Sequence, residues 1–145
     1  IMDVGQVNQP KSKAYEKYLS IPEQLDYRFI MSIQGYDVAT NLKWIMYSNS
    51  LCFMTKPTIE SWFMEGKLIP GKHYVEIKKD YSDIEEKVKY YLKNEKEVRD
   101  IIKNAKAHCQ QFTNQQEEDL IGFLVLEKFF HYTGQINSDY SRYFD

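Results

Sequence analysis

No apolar run in this sequence approaches the ~20 residues that a bilayer-spanning helix needs. The longest candidate, Leu120 to Phe130, is interrupted by Glu127 and Lys128. A cleavable leader is not expected either, because Asp3 and Gln6 fall where a basic patch and an apolar core would be required. Basic residues are not in excess. Nineteen Lys and Arg against 21 Asp and Glu give a formal charge of −2 and a pI near 6.0, which argues against a nucleic-acid partner. Cysteine is scarce, and Cys52 and Cys109 form no closely spaced framework. Two free thiols in a reducing cytosol are expected. His73, His108 and His131 stand at no ligand spacing from one another or from the cysteines, so no metal site is expected.

What is present suits one ordinary domain: 145 residues, of which 43% are hydrophobic and 28% charged. The chain opens at Ile1, and Asp3 to Pro10 reads like the interior of something longer. A piece of a larger protein is the expectation. Residues 1–22 are polar and turn-rich, with a short helical candidate at Lys13 to Leu19, and read as a lead-in.

Tyr27 to Ile33 (YRFIMSI) is a near-continuous apolar run, the pattern of a strand buried on both faces. Gln34-Gly35-Tyr36-Asp37 breaks it. Val38, Leu42, Ile45 and Met46 then recur on one helical face, predicting a helix over Val38 to Ser48. Leu51 to Met54 predicts a second buried strand, so the segment reads as a right-handed βαβ unit with parallel strands. A short helix is predicted from Ile59 to Glu65, ahead of Gly66 and a Pro70-Gly71 turn, and a third strand at His73 to Ile77. Ser82-Asp83-Ile84-Glu85 has the form of a capping box. Ile84, Val88, Tyr91 and Leu92 form the face of the helix behind it, and a second helix carries Val98, Ile101, Ile102 and Ala105. Gln116 to Tyr132 is read as an amphipathic helix through Leu120, Phe123, Leu124 and Phe130, closed by Gly134. The expected architecture is α/β: a Rossmann-like three-layer αβα domain on a parallel sheet, with a helical C-terminal tail.

Ligands on such sheets bind beyond the carboxyl ends of the strands. That rim holds QGYDVATNLK, Gln34 to Lys43. Gly35 lets a ligand approach the backbone, and a helix opening near Asp37 to Thr40 would present N–H groups and a positive dipole end to phosphate. Thr40 adds a hydroxyl, Asn41 an amide and Lys43 a cation. The competing account is that Asp37 merely caps the helix and Lys43 is a solvated side chain. The segment lacks the full GxGxxG pattern and is no dinucleotide motif. Glu60 offers a carboxylate to ribose hydroxyls, or else only complements a helix dipole. Trp62 and Phe63 read as core or domain-contact aromatics before a base-stacking platform. Ser61, Ser82 and Cys52 have no histidine or acid at interpretable spacing, so no nucleophile is assigned.

Two longer strings, YRFIMSIQGYDVATNLKWIMYSNSLCFM and ESWFMEGKLIPGKHYVEIKKDYSDIEEKVKYY, closely resemble family 90 glycosyltransferases. That family includes bacterial lipopolysaccharide-modifying transferases, fungal capsule-associated proteins and eukaryotic protein O-glucosyltransferases. The resemblance runs from about Leu19 to Thr133 and rests on three blocks: Gly35 to Trp44, Glu60 to Tyr74 with its PGxHY turn, and Asp80 to Glu85. The bacterial branch is the nearer likeness, through DVATNLKW and ESWFMEG.

The resemblance implies a GT-B fold of two Rossmann-like halves, with this chain as the C-terminal, nucleotide-sugar-binding half. Residues 23–134 would be the donor-binding domain, residues 1–22 the link from an N-terminal half, and residues 135–145 a tail. The implied donor is a nucleotide sugar, UDP the expected carrier, held by Gly35, Asp37, Val38, Ala39, Thr40, Asn41, Lys43 and Glu60, with no metal and no other cofactor. In the eukaryotic branch an arginine stands where this chain has Asn41, which puts the diphosphate contact there in doubt. The acceptor implied is a lipopolysaccharide-core sugar. The catalytic base lies in the N-terminal half in such enzymes, so no catalytic residue is assigned here and the chain alone is expected to be inactive. The expected location is the cytoplasm, peripheral to a bacterial inner membrane. Self-association of the isolated domain is a further expectation. The alternative reading is a non-catalytic nucleotide-binding or interaction module on the same frame.

Overall fold

The computed structural model describes residues 19–136. The elements run α1 (Ile21–Gln24), β1 (Phe29–Met31), α2 (Leu42–Tyr47), β2 (Leu51–Met54), a 3-10 turn (Glu65–Lys67), β3 (Val75–Glu76), α3 (Ile84–Lys93), α4 (Glu95–Gln110) and α5 (Gln115–Tyr132). The chain divides into two compact units, with the boundary between Lys106 and Ala107. Of the early helical candidate only Leu19 is described. Ser20 precedes α1, and its N–H and hydroxyl both donate to the Glu23 carboxylate, at 2.8 and 2.7 Å.

In the first unit the three strands form one sheet in the order β1-β2-β3. Both pairings are parallel, as the βαβ pattern predicts. Phe29 lies opposite Leu51, and Phe53 lies opposite both Met31 and Val75. All four residues of β2 are buried, which requires cover on both faces because successive side chains alternate. On one face Leu51, Phe53, Val75 and Ile77 join Ile84 and Tyr91 of α3 and Val98 and Ile101 of α4 in one core cluster. Phe53 meets Phe29 at a centroid distance of 5.4 Å and Tyr91, edge-on, at 6.0 Å. α2 packs against β2 and contributes buried Leu42, Ile45 and Met46. This is an α/β fold on a small parallel sheet.

Several local expectations are corrected. β1 is shorter than Tyr27 to Ile33, and both of those end residues are exposed. α2 starts at Leu42 instead of Val38. Asp37 accepts its neighbour Val38's N–H at 2.7 Å, and Leu42 N–H closes a turn on the Ala39 carbonyl. Short polar side chains that bond the nearby backbone compete with helix in this way. The helix expected over Ile59 to Glu65 is absent, because Glu65 folds back to bind Ser61 and Met64 takes a left-handed conformation at φ 56°. Asp83 takes the N-cap position instead of Ser82, whose hydroxyl donates to Asp80 at 2.9 Å, while Glu85 pairs with Lys89. Leu92 is exposed. His73 and Tyr74 precede β3 and are buried in a turn, where His73 Nδ1 accepts the Ile69 N–H at 2.9 Å and Gly71 sits at φ 72°.

In the second unit Asn114 caps α5, its side-chain oxygen accepting the N–H groups of Gln116 and Glu117. The expected single apolar face is not found: no residue of α5 is buried, and exposed apolar residues stand around its circumference. Both cysteines are free and buried. Burial pushes their thiols up, Cys52 to about 12 and Cys109 to about 11, which removes them as nucleophiles. No helix among the described residues is long and apolar enough to cross a membrane.

Candidate functional site

Beyond the carboxyl ends of β1 and β2 the chain leaves an open depression of about 270 Å³. Three stretches line it: Ser32, Gln34, Val38, Ala39 and Leu42 after β1; Met54 at the end of β2 with Thr55, Pro57 and Ile59 after it; and Glu65 from the 3-10 turn. Its walls are mostly apolar with a few polar groups, the usual make-up of a small-molecule site.

The polar groups are fixed by bonds between the two loops. Gln34 donates from Nε2 to the Thr58 hydroxyl at 2.7 Å and accepts the Thr58 N–H at 3.1 Å, so one side chain clasps both loops. Ser32 is buried, and its hydroxyl donates to the Asn41 amide oxygen at 3.0 Å. Asn41 in turn donates to the Met31 carbonyl at 3.1 Å. Its carboxamide therefore ties the start of α2 to the end of β1.

Glu65 is the charged member of the lining and only 2% exposed. One carboxylate oxygen accepts the Ser61 N–H at 2.6 Å and the other the Ser61 hydroxyl at 2.7 Å. Burial pushes its carboxyl up, but the two Ser61 bonds, its own N–H and the Lys43 charge outweigh burial and hold it below the ordinary value of 4.5. It is ionised at neutral pH.

Of the residues singled out from the sequence, Val38 and Ala39 line the depression. Gly35 lies in open space, with nothing within 4 Å of where a Cβ would stand. Asp37, Thr40 and Lys43 are exposed, and Asp37's carboxylate is engaged by Val38 N–H. Glu60 is exposed and outside the lining, with Oε1 3.1 Å from the Cβ position of Gly66. Trp62 is exposed, whereas Phe63 is buried as a core aromatic. Among the described residues no cluster of His, Cys, Asp or Glu could hold a metal ion.

The sequence offers neither Glu65 nor Ser32 as a site residue, considers Ser61 only as a nucleophile and includes Gln34 only within the Gln34 to Lys43 stretch. The i,i+4 spacing of Ser61 and Glu65 was the available signal, and it supplies the acid partner that Ser61 seemed to lack. A parallel sheet with a depression at its carboxyl edge defines the class as an α/β domain, with the depression where such folds place ligands.

The sequence model of Glycosyl transferase family 90 matches residues 3–133, and the chain belongs to that family. It is 42% identical over 132 residues to the O-glucosyltransferase LpsA of Dichelobacter nodosus, covering 90% of this chain and 42% of that protein. It is 29% identical over 104 residues to the human Protein O-glucosyltransferase 3, covering 71% of this chain and 20% of that protein. The rat protein of the same name matches equally. The chain thus spans less than half the length of these relatives.

Proposed function

We propose that this chain is the donor-binding part of a glycosyltransferase that moves a hexose from a nucleotide sugar, UDP-linked, to a lipopolysaccharide-core acceptor. The observation that carries the reading is the depression at the carboxyl edge of a parallel sheet in a family 90 chain. Relatives named as O-glucosyltransferases make UDP-glucose the first donor to test. The diphosphate lies beside Thr40 and Lys43, where the lysine supplies a cation, and Glu60 takes the ribose hydroxyls at the outer edge. Asn41 contributes indirectly, by anchoring the turn that carries Thr40.

In the reaction, an acceptor hydroxyl oxygen bonds to the anomeric carbon as the bond from that carbon to the phosphate oxygen breaks. The nucleoside diphosphate leaves, and the hydroxyl proton passes to a base. That base and the acceptor site belong to the other half of a GT-B enzyme, which also supplies the orientation that makes the step effectively unimolecular. By itself this chain binds donor weakly and transfers no sugar. The whole enzyme works on the cytoplasmic side of the inner membrane, as a peripheral protein.

Calorimetric titration of the chain with UDP and with ADP tests the reading. Tighter binding of UDP is expected, with a loss of about tenfold in Lys43→Ala and in Glu60→Ala. Equal affinity for the two nucleotides, or unchanged UDP affinity in both variants, would overturn it in favour of a non-catalytic module.

A further inference from the structure

Glu65 is the feature that the diphosphate contacts above do not use. A buried carboxylate is costly unless hydrogen bonds and charge offset its lost hydration. Ser61 binds both of its oxygens, yet a carboxylate offers about four acceptor positions. With Glu65's own N–H also bonded, about one remains, on a group that lines the depression. Its charge also limits what can enter. A phosphate brought beside this buried carboxylate meets like-charge repulsion, whereas a neutral polyol offers hydroxyl donors for charge-assisted bonds.

We propose that Glu65, held in place by Ser61, accepts a hydroxyl of the hexose carried by the donor at the mouth of this depression, while the diphosphate stays outside it on the Lys43 side. The proposal rests on the nucleotide-sugar reading above. Ser61 is a positioning residue, since it fixes the carboxylate through both oxygens and reaches the sugar only through Glu65.

The test is to titrate the full 145-residue chain, Glu65→Gln and Ser61→Ala with UDP-glucose and with UDP. In the unaltered chain UDP-glucose should bind more tightly than UDP. Glu65→Gln should weaken UDP-glucose by about tenfold or more and leave UDP within about twofold, because the amide keeps the shape but loses the charge. Ser61→Ala should lose less, in the same pattern. Equal losses for both ligands, or none, would overturn the assignment while leaving UDP recognition standing. An unaltered chain that does not prefer UDP to ADP would overturn the nucleotide-sugar reading and this inference with it. Should Glu65→Gln fail to fold, saturation-transfer NMR on the unaltered chain decides. Saturation reaching the hexose protons supports the proposal, and saturation confined to uridine and ribose overturns it.

Discussion

Strand β2 and helix α5 both read as apolar segments, Leu51 to Met54 in one and Leu120 to Leu126 in the other, yet every residue of β2 is buried and none of α5 is. The difference lies in what each needs from its surroundings. β2 cannot satisfy its backbone alone; β1 and β3 must flank it, and the helices beside the sheet then cover its side chains. α5 closes its own backbone hydrogen bonds over 18 residues and has a capped start at Asn114, so its backbone is satisfied although none of its residues is fully buried. Apolar content signals a gain available from burial. Topology decides whether the gain is taken.

The largest test of this contrast is Phe53→Ala. Phe53 is central in β2 and packed between Phe29 and Tyr91. Its removal should cost about 3–5 kcal/mol, seen as a lower urea midpoint at unchanged slope. A loss below about 1 kcal/mol would mean that the sheet face contributes no more than an exposed surface.

A polar fastener at the far edge of the same core should come next. Asp83 is buried and accepts the Lys78 N–H at 2.9 Å, while Lys87 pairs with its other oxygen at 2.8 Å. Lys87 also donates to the Glu76 carbonyl, joining β3 to α3. Asp83→Ala should destabilise by about 1–3 kcal/mol. The Lys87 hydrogen bond is the main cause holding the Asp83 carboxyl below its ordinary 3.8. A carboxyl depressed in the folded state adds stability that is complete well above its unfolded value and lost as pH falls through the folded one. The gap between the original chain and the variant should therefore be constant above about pH 5 and shrink below the ordinary value. A gap that widened in acid would reverse the sign of the argument.

The same contrast explains what was legible beforehand. The strands were, because Phe29-Ile30-Met31 and Leu51 to Met54 are unbroken apolar runs and the intervening length suits a crossover helix; their parallel pairing followed. α5 was legible as a helix but not in its facing, since its apolar residues are spread too evenly for sequence to select one side. The depression was legible as a rim and in its lining by Val38 and Ala39, but not in its lining by Glu65. That residue enters the depression because Met64 turns left-handed and Ser61 captures the carboxylate, and neither event has a periodic signature. The tie that Asn41 makes had no local signal for a similar reason: its partners, Ser32 and Met31, lie nine and ten residues earlier.

The smallest effect on folding is expected on α5. Phe123 is 70% exposed, with Leu120, Leu126 and Phe130 exposed on the same helix. A side chain already in water loses almost nothing when shortened, so Phe123→Ser should move the folding midpoint by no more than about 0.5 kcal/mol. Association is where the substitution should register. A run of exposed apolar side chains favours contact between molecules, and a helix apolar on all sides has no polar face to turn outward against it. Sedimentation velocity over a concentration series should show the unaltered chain associating and Phe123→Ser associating less, at equal stability. If the variant instead lost about 2 kcal/mol or more, Phe123 would be part of a packed core, and the contrast between β2 and α5 would fail. If association were unchanged while stability held, the exposed face would not be the surface through which the chains meet.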